Sequence, residues 1–231
     1  MNQCLLPEDV YLCMTDDAAV FLDLRTNKYH GLTAAQAPLL RTVVAGGAFD
    51  PDSMSLIQGL VARGMLTHEP REGRPVTPLN LPSARESLVT FDTEIEGSLT
   101  KSFNLHDVRN VVFAYIRALA LLRFRSLKSI VRRARLRKDR HNARREFDFE
   151  TARRMVRTFH SVRPFVYGTR GRCLVDSLTL LEFLAAHEIF PTWVFGVRTG
   201  PFQAHTWVQE GSFVFNDDPS RTTRFKPILA I

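Results

Sequence analysis

Four prolines stand within thirteen residues, at Pro70, Pro75, Pro78 and Pro82. Proline lacks the N–H that a helix interior or a central strand requires. No long regular element runs through that stretch, so a chain of 231 residues divides there into two folding units. Residues 71–103 read as a linker stiffened by proline, although the pattern from Ser87 to Phe103 is ambiguous. A first unit of residues 1–70 and a second of residues 104–231 remain.

The two units differ in charge. Residues 1–70 hold four Lys/Arg and eight Asp/Glu, net −4, whereas residues 123–145 hold eleven Lys/Arg and one acid, Asp139, net +10. The formal +7 of the whole chain is therefore a local feature. An acidic first unit speaks against nucleic-acid binding, because phosphate contacts need clustered cations. At 45% hydrophobic and 24% charged, the chain has the composition of a packed protein rather than a disordered one. No uncharged apolar run approaches the ~20 residues of a membrane helix. The first ten residues lack the basic stretch of a secretory signal. Cys4, Cys13 and Cys173 are too few and too scattered for a disulfide framework or a zinc site. The expectation is a reduced, cytoplasmic protein.

In the first unit, Val10–Cys13, Val20–Leu24 and Lys28–Leu32 read as three short strands, with a turn at Asp16-Asp17. Thr33 and Gln36 fit a capping box, and Leu39, Leu40, Val43 and Val44 follow at helical spacing up to Gly46-Gly47. Pro38 sits awkwardly in a helix begun at the box and points to a later start. Asp50-Pro51 reads as N-cap and first residue of another helix, with Leu56, Leu60 and Val61 on its apolar face. Three small strands followed by helices make a winged-helix-like module.

The second unit opens with apolar residues at helical spacing from Leu105 to Leu122 and continues through the basic run. Phe149–Phe159 and Cys173–Ala186 are further helices, and Thr192–Arg198, Ala204–Gln209 and Ser212–Asn216 are strands. Helices leading into an antiparallel meander give an α+β fold.

Cys173 follows Gly171-Arg172 at the predicted N-terminus of a helix, where free N–H groups and the dipole favour an anion. Arg170 and Arg172 would add to the pull toward thiolate. Taken alone, a cysteine among leucines is more often a small buried side chain. His205, on a later strand, changes the weighing: a helix-start cysteine and a strand histidine are the parts of papain-like nucleophilic catalysis. A third group must orient the imidazole, and Asn216, Asp217 and Asp218 are the candidates. A three-residue hairpin loop, Gln209-Glu210-Gly211, places His205 and Trp207 on one face with Phe213, Phe215 and Asp217. A two-residue loop would place Asn216 and Asp218 there instead. Glycine at the third loop position suits the longer loop and selects Asp217.

The segments Gly171–Ser177, Pro191–Val197, Ala204–Val208 and Asn216-Asp217 resemble the B proteins of lasso peptide biosynthesis, which are transglutaminase-like cysteine proteases. Separations of 32 from Cys173 to His205 and 12 from His205 to Asp217 are similar to that family's triad. The first unit resembles the PqqD-like precursor-recognition module of the same systems. The resemblance implies a PqqD-like module followed by a transglutaminase-like, papain-like cysteine protease domain. It implies an ATP-independent peptidase with Cys173, His205 and Asp217 as its triad, needing no metal or organic cofactor. It also implies two partners: the leader region of a lasso precursor, and an ATP-dependent, asparagine-synthetase-like cyclase that closes the macrolactam. A three-stranded sheet with an open edge accepts an extended peptide as a further strand. In related modules the leader pairs with the third strand and packs on the last helix, which here points to Tyr29, Leu32, Leu56 and Leu60, all of them equally readable as core.

The basic run at residues 123–145 reads first as a solvated helix face, and otherwise as a contact for an acidic precursor, a partner enzyme or an anionic membrane surface. His187-Glu188 lacks the second histidine of a zinc helix. Ser177 and His187 lie near opposite ends of one helix, which disfavours a serine dyad. The Cys173 N–H is the one oxyanion donor the sequence names. Three rival functions stay open: transglutaminase-type acyl transfer, non-catalytic precursor binding as a chaperone, and DNA-binding regulation by the first unit.

Overall fold

The computed structural model describes residues 4–15, 18–47, 50–88, 105–142, 147–168 and 171–231. The Asp16-Asp17 turn, Arg170, Arg144-Arg145 of the basic run and residues 89–103 of the ambiguous stretch lie outside them. Packing divides the chain into Met1–Asn80 with Val197–Gln203 and Lys226–Leu229, and Leu81–Gly196 with Ala204–Phe225 and Ala230–Ile231.

The first unit begins with β1 (Leu5–Pro7) and the strands β2 (Val10–Met14), β3 (Ala19–Asp23) and β4 (Lys28–Gly31). The last three form an antiparallel sheet in the order β2–β3–β4, which leaves β4 at an edge. The turn from β3 to β4 is built by Asp23, whose carboxylate accepts the Arg25 N–H at 2.9 Å and the Arg25 Nε at 2.8 Å. Asn27 adopts φ 54°, the left-handed conformation that asparagine tolerates.

Helix α1 (Gln36–Val44) starts three residues after Thr33. One arm of the capping box survives, the Thr33 N–H donating to Gln36 Oε1 at 3.2 Å. Pro38 then falls in the first turn, where its missing N–H has no intrahelical partner to lose. Helix α2 (Pro51–Ala62) is capped as its sequence predicts, Asp50 Oδ1 accepting the Ser53 N–H at 2.7 Å. Val10, Phe21, Leu40, Leu56, Ile57 and Leu60 pack into one core between sheet and helices. The proline stretch is not a free tether along its whole length. β5 (Gly73–Pro75) pairs with β1, and Arg74 lies over the Tyr11 ring at 4.6 Å. Gly73 makes this possible, because a Cβ there would meet the Leu5 side chain at 2.5 Å.

The rest of the chain forms β6 (Glu86–Ser87), α3 (Leu105–Phe124), α4 (Leu127–Asn142), α5 (Phe149–Val166), α6 (Cys173–Ala185), β7 (Thr192–Thr199), β8 (Phe202–Glu210), β9 (Phe213–Val214), α7 (Pro219–Thr222) and β10 (Lys226–Ala230), of which Val197–Gln203 and Lys226–Leu229 belong to the first unit and the remainder to the second. The sheet order is β10–β7–β8–β9–β6. Helices α3, α5 and α6 pack on one another. Phe159, Leu180 and Phe183 are buried among them, each contributing about 1.5–3 kcal/mol by leaving water.

The basic helix α4 departs from a purely solvated face. Leu127, Ile130 and Val131 are buried. Arg137 donates to the buried Glu182 at 2.6 and 3.2 Å, and Arg117 of α3 meets the same carboxylate at 2.7 Å. Lys138 bonds Thr192 and reaches Glu210 at 3.3 Å. Arg132, Arg133 and Arg140 stay exposed. Part of the charge thus anchors α4 to its own domain. Among the described residues, no helix is long and apolar enough to cross a membrane.

Candidate active site

Helix α6 begins at Cys173, as its sequence predicts, after Gly171 at φ 72°. Arg172 occupies the N-cap position with no side-chain cap, so the first-turn N–H groups around Cys173 keep their donors for another acceptor. Cys173 is half-buried, unlike the fully buried Cys4 and Cys13.

His205 lies on β8, 4% exposed. Its Nε2 bonds Asp217 Oδ2, which leaves Nδ1 for the Cys173 sulfur, the group's other hydrogen-bond partner. Burial alone would lower the imidazole pKa. The bonds and charges of Asp217 and Cys173 outweigh it and push His205 up to about 9. For Cys173, burial raises the thiol pKa, but hydrogen bonds from His205 and from the Thr206 N–H and hydroxyl bring it below the ordinary value. The two shifts run in the same sense: each group favours the charged form of the other. Among the described residues, the groups that lower it are His205 and Thr206. The Trp207 and Phe225 rings support His205 at 6.0 and 5.0 Å. Gly196 seats them, since a Cβ there would lie 2.7 Å from Trp207 and 2.9 Å from Phe225.

The hairpin differs from the one that selected Asp217. Gln209 faces Val214 and Glu210 faces Phe213, so the loop is Gly211-Ser212, with Gly211 at φ 55°. In that register the His205 face belongs to Asn216 and Asp218, and the three-residue-loop reasoning is corrected. Asp217 meets His205 because the ladder ends early. The Phe215 N–H still bonds Val208 O at 2.9 Å, but the Val208 N–H is taken by Asn216 Oδ1 at 2.9 Å. Asp218 Oδ1 accepts the Ser220 N–H at 2.7 Å as the cap of α7. Between these two tethered residues, Asp217 is aimed at the imidazole.

A brace that the sequence reading missed holds this corner. Asp176, one turn after Cys173, is 5% exposed. Its carboxylate accepts from Arg163 at 3.1 and 3.2 Å, from the Tyr167 hydroxyl at 3.0 Å and from Asn216 Nδ2 at 2.9 Å. Asn216 therefore ties α6 to β8, and α5 supplies the cation. His160 adds a bond to the Phe215 carbonyl at 2.6 Å. The only sequence signal was an acid on the apolar side of a helix, which is expensive to bury unpaired.

The other anticipated residues separate into two groups. Tyr29 and Leu32 are part-exposed and line a pocket of about 320 Å³ in the first unit with Val20 and Phe202. Leu56 and Leu60 do not line it; they are 8% and 1% exposed in the core of the first unit. Their side chains hold α2 against the sheet. Ser177 bonds Thr206 and Trp193, and His187 is not its partner.

Among curated proteins, the microcin J25-processing protein McjB of Escherichia coli is 39% identical over 62 residues, 27% of this chain and 30% of that protein. The chain therefore matches less than a third of that relative's length. This match agrees with the resemblance to lasso peptide B proteins carried by the cysteine, histidine and aspartate segments. No solved structure matches the chain. The profile of the transglutaminase-like superfamily matches residues 114–230, just over half of the chain and every residue of the site described above. The chain belongs to the transglutaminase-like superfamily.

Proposed function

We propose that the protein is the leader peptidase of a lasso peptide pathway. The observation that carries this reading is the line of Cys173, His205 and Asp217 at an uncapped helix N-terminus. The Cys173 thiolate attacks the scissile carbonyl. The oxyanion is held by the Cys173 N–H and the helix dipole. His205 gives its Nδ1 proton to the leaving amine, and an acyl-thioester forms. His205 then takes a proton from water, hydroxide attacks the thioester, and Cys173 is restored. Asp217 holds Nε2 throughout and stabilises the imidazolium each time it forms.

The first unit serves as a PqqD-like recognition module. An extended leader adds to the edge strand β4, with Tyr29 and Leu32 supplying side-chain contacts in the adjoining pocket. Cleavage frees the core peptide for an ATP-dependent cyclase that closes the macrolactam.

The test is mass spectrometry of the precursor peptide after incubation with the protein, beside Cys173→Ala, with and without the cyclase. A single backbone cut by wild type that is absent in the variant supports the peptidase. Full maturation by Cys173→Ala overturns it in favour of a binding-only chaperone. Incorporation of an added primary amine at the new carboxyl end identifies acyl transfer, the other chemistry of the same thioester.

A further inference from the structure

Behind the Cys173 sulfur runs a buried chain of polar groups that the triad does not use. Trp193 Nε1 bonds Ser177 Oγ at 2.9 Å, and Ser177 Oγ lies 3.0 Å from Thr206 Oγ1. Ser177 lies one turn after Cys173 on the same helix, so its contact sets the Thr206 hydroxyl on the Cys173 side of β8, and Thr206 is among the groups that lower the thiol pKa. Trp193 and Ser177 are 0% exposed and Thr206 5%, so water does not compete for these bonds. The three residues come from β7, α6 and β8, and the same contact draws the strand bearing His205 to the helix bearing Cys173.

Donor and acceptor rules give the chain a direction. The indole N–H only donates, so Ser177 Oγ must accept at that end. The Ser177 proton has two destinations, the Leu174 carbonyl at 3.3 Å and Thr206 Oγ1 at 3.0 Å. If it goes to Leu174, the Thr206 hydroxyl donates back to Ser177 and offers a lone pair to a neutral thiol. If it goes to Thr206, the Thr206 hydroxyl is released to donate to sulfur. A thiolate only accepts, so ionisation of Cys173 selects the second arrangement. One hydroxyl thus serves both protonation states by rotation, with no movement of heavy atoms.

We propose that Thr206 is a hydrogen-bond donor to the reacting sulfur, and that Ser177, fixed by Trp193, is the positioning residue that turns the Thr206 hydroxyl toward it. The proposal rests on Cys173 being the nucleophile, and its test reads the sulfur directly rather than turnover. The hydroxyl holds the resting thiolate, which favours capture of substrate at neutral pH. It also fixes the sulfur opposite the imidazole, so that attack starts from one rotamer.

The experiment is alkylation of the full-length chain with iodoacetamide across pH 4–10, followed by peptide mass spectrometry that separates Cys173 from Cys4 and Cys13. Thr206→Val keeps the shape of the side chain and removes the hydroxyl. It is expected to raise the alkylation midpoint of Cys173 by about one pH unit, a tenfold loss of thiolate below the midpoint. Ser177→Ala is expected to move it the same way by about threefold, and Thr206→Ser to return it to the wild-type position. Near-ultraviolet circular dichroism reports whether each variant keeps its tryptophan packing. If Thr206→Val does not fold, Ser177→Ala decides. An unchanged midpoint in a folded variant, with the wild-type midpoint depressed, overturns the relay and leaves the nucleophile intact. A wild-type midpoint at the ordinary thiol value overturns the nucleophile instead.

Discussion

His160 and His205 are buried almost equally, 3% and 4% exposed, in the same domain, and their pKa values are displaced in opposite directions. Burial lowers both. His160 has a neutral carbonyl as its Nε2 partner and the Arg163 cation nearby, and its pKa is pushed down to about 3. His205 has the Asp217 carboxylate on one nitrogen and the Cys173 sulfur as its other partner, and is pushed up to about 9. The two aspartates divide in the same way. Asp176 is surrounded by an arginine, a tyrosine and an asparagine, a closed set. Asp217 meets the imidazole, whose far side is open to the thiol. A buried histidine or aspartate is therefore not a mark of catalysis by itself. The mark is a partner that changes charge during a reaction.

The sharpest way to break this contrast is to remove the partner. Cys173→Ala and His205→Ala are each expected to lower precursor cleavage by about 10⁴-fold or more. Cys173→Ala is expected to cost no more than about 1 kcal/mol in urea unfolding, whereas His205→Ala also leaves the Asp217 carboxylate without its partner and destabilises the fold. Residual cleavage within tenfold of wild type in either variant would remove them from the reaction.

The brace should show the reverse pattern, stability first. Asp176→Ala leaves Arg163 without its carboxylate and Asn216 without its acceptor. Breaking a buried pair from one side costs about 3–5 kcal/mol, read as a drop in the urea midpoint. Cleavage should fall as well, because Asn216 no longer fixes the residue before Asp217. A loss under about 1 kcal/mol would mean that Asp176 does not hold the corner.

These two clusters were unequally legible in the sequence. Cys173 and His205 stand on elements that announce themselves, a glycine-led amphipathic helix and an alternating strand. Their chemistry follows from local pattern. Asp217 was selected by a hairpin argument that used the wrong loop and was supported by the family's spacing. A strand's face alternation ends where its ladder ends, and the Asn216 side chain that ends it is invisible to a period-two rule. Asp176, Arg163 and Tyr167 were missed because their meaning is tertiary: each looks like an ordinary helix residue until α5 and α6 meet. In the first unit, the three strands and the Asp50 cap were readable from turn and cap chemistry. The burial of Leu56 and Leu60 was not decidable from an apolar face alone, since core and groove are written in the same residues. The pairing of β1 with β5 was hidden because short strands carry too few residues to show alternation.

A smaller effect is expected beneath His205. Gly196→Ala places a methyl against Trp207 and Phe225, both of which pack on the imidazole. Strain of this kind costs about 1–3 kcal/mol. Because the displaced rings support His205, kcat should fall more than KM rises. A variant with wild-type stability and kcat would show that the rings yield without cost.

The smallest effect is the one that tests the two histidines together, through pH. The folded pKa of His160, about 3, lies below its ordinary 6.5, so the unfolded chain binds the extra proton first. Its contribution to stability is full above pH 6.5 and declines as pH falls toward 3. At pH 5.5 the loss is on the order of 1 kcal/mol. For His205 the sign is opposite. Its folded pKa of about 9 exceeds 6.5, so its contribution is full below pH 6.5 and is lost as pH rises through about 9. Cleavage should follow the same alkaline limb, because loss of the imidazolium proton removes the acid for the leaving amine. Urea unfolding at pH 5.5, 7.5 and 9.5 separates the two. His160→Gln retains a donor for the Phe215 carbonyl but cannot titrate, and should flatten the acid limb while leaving the alkaline limb in place. His205→Gln should do the reverse. If one substitution flattens both limbs, the two histidines titrate as a coupled unit, and the division between a closed brace and an open site fails.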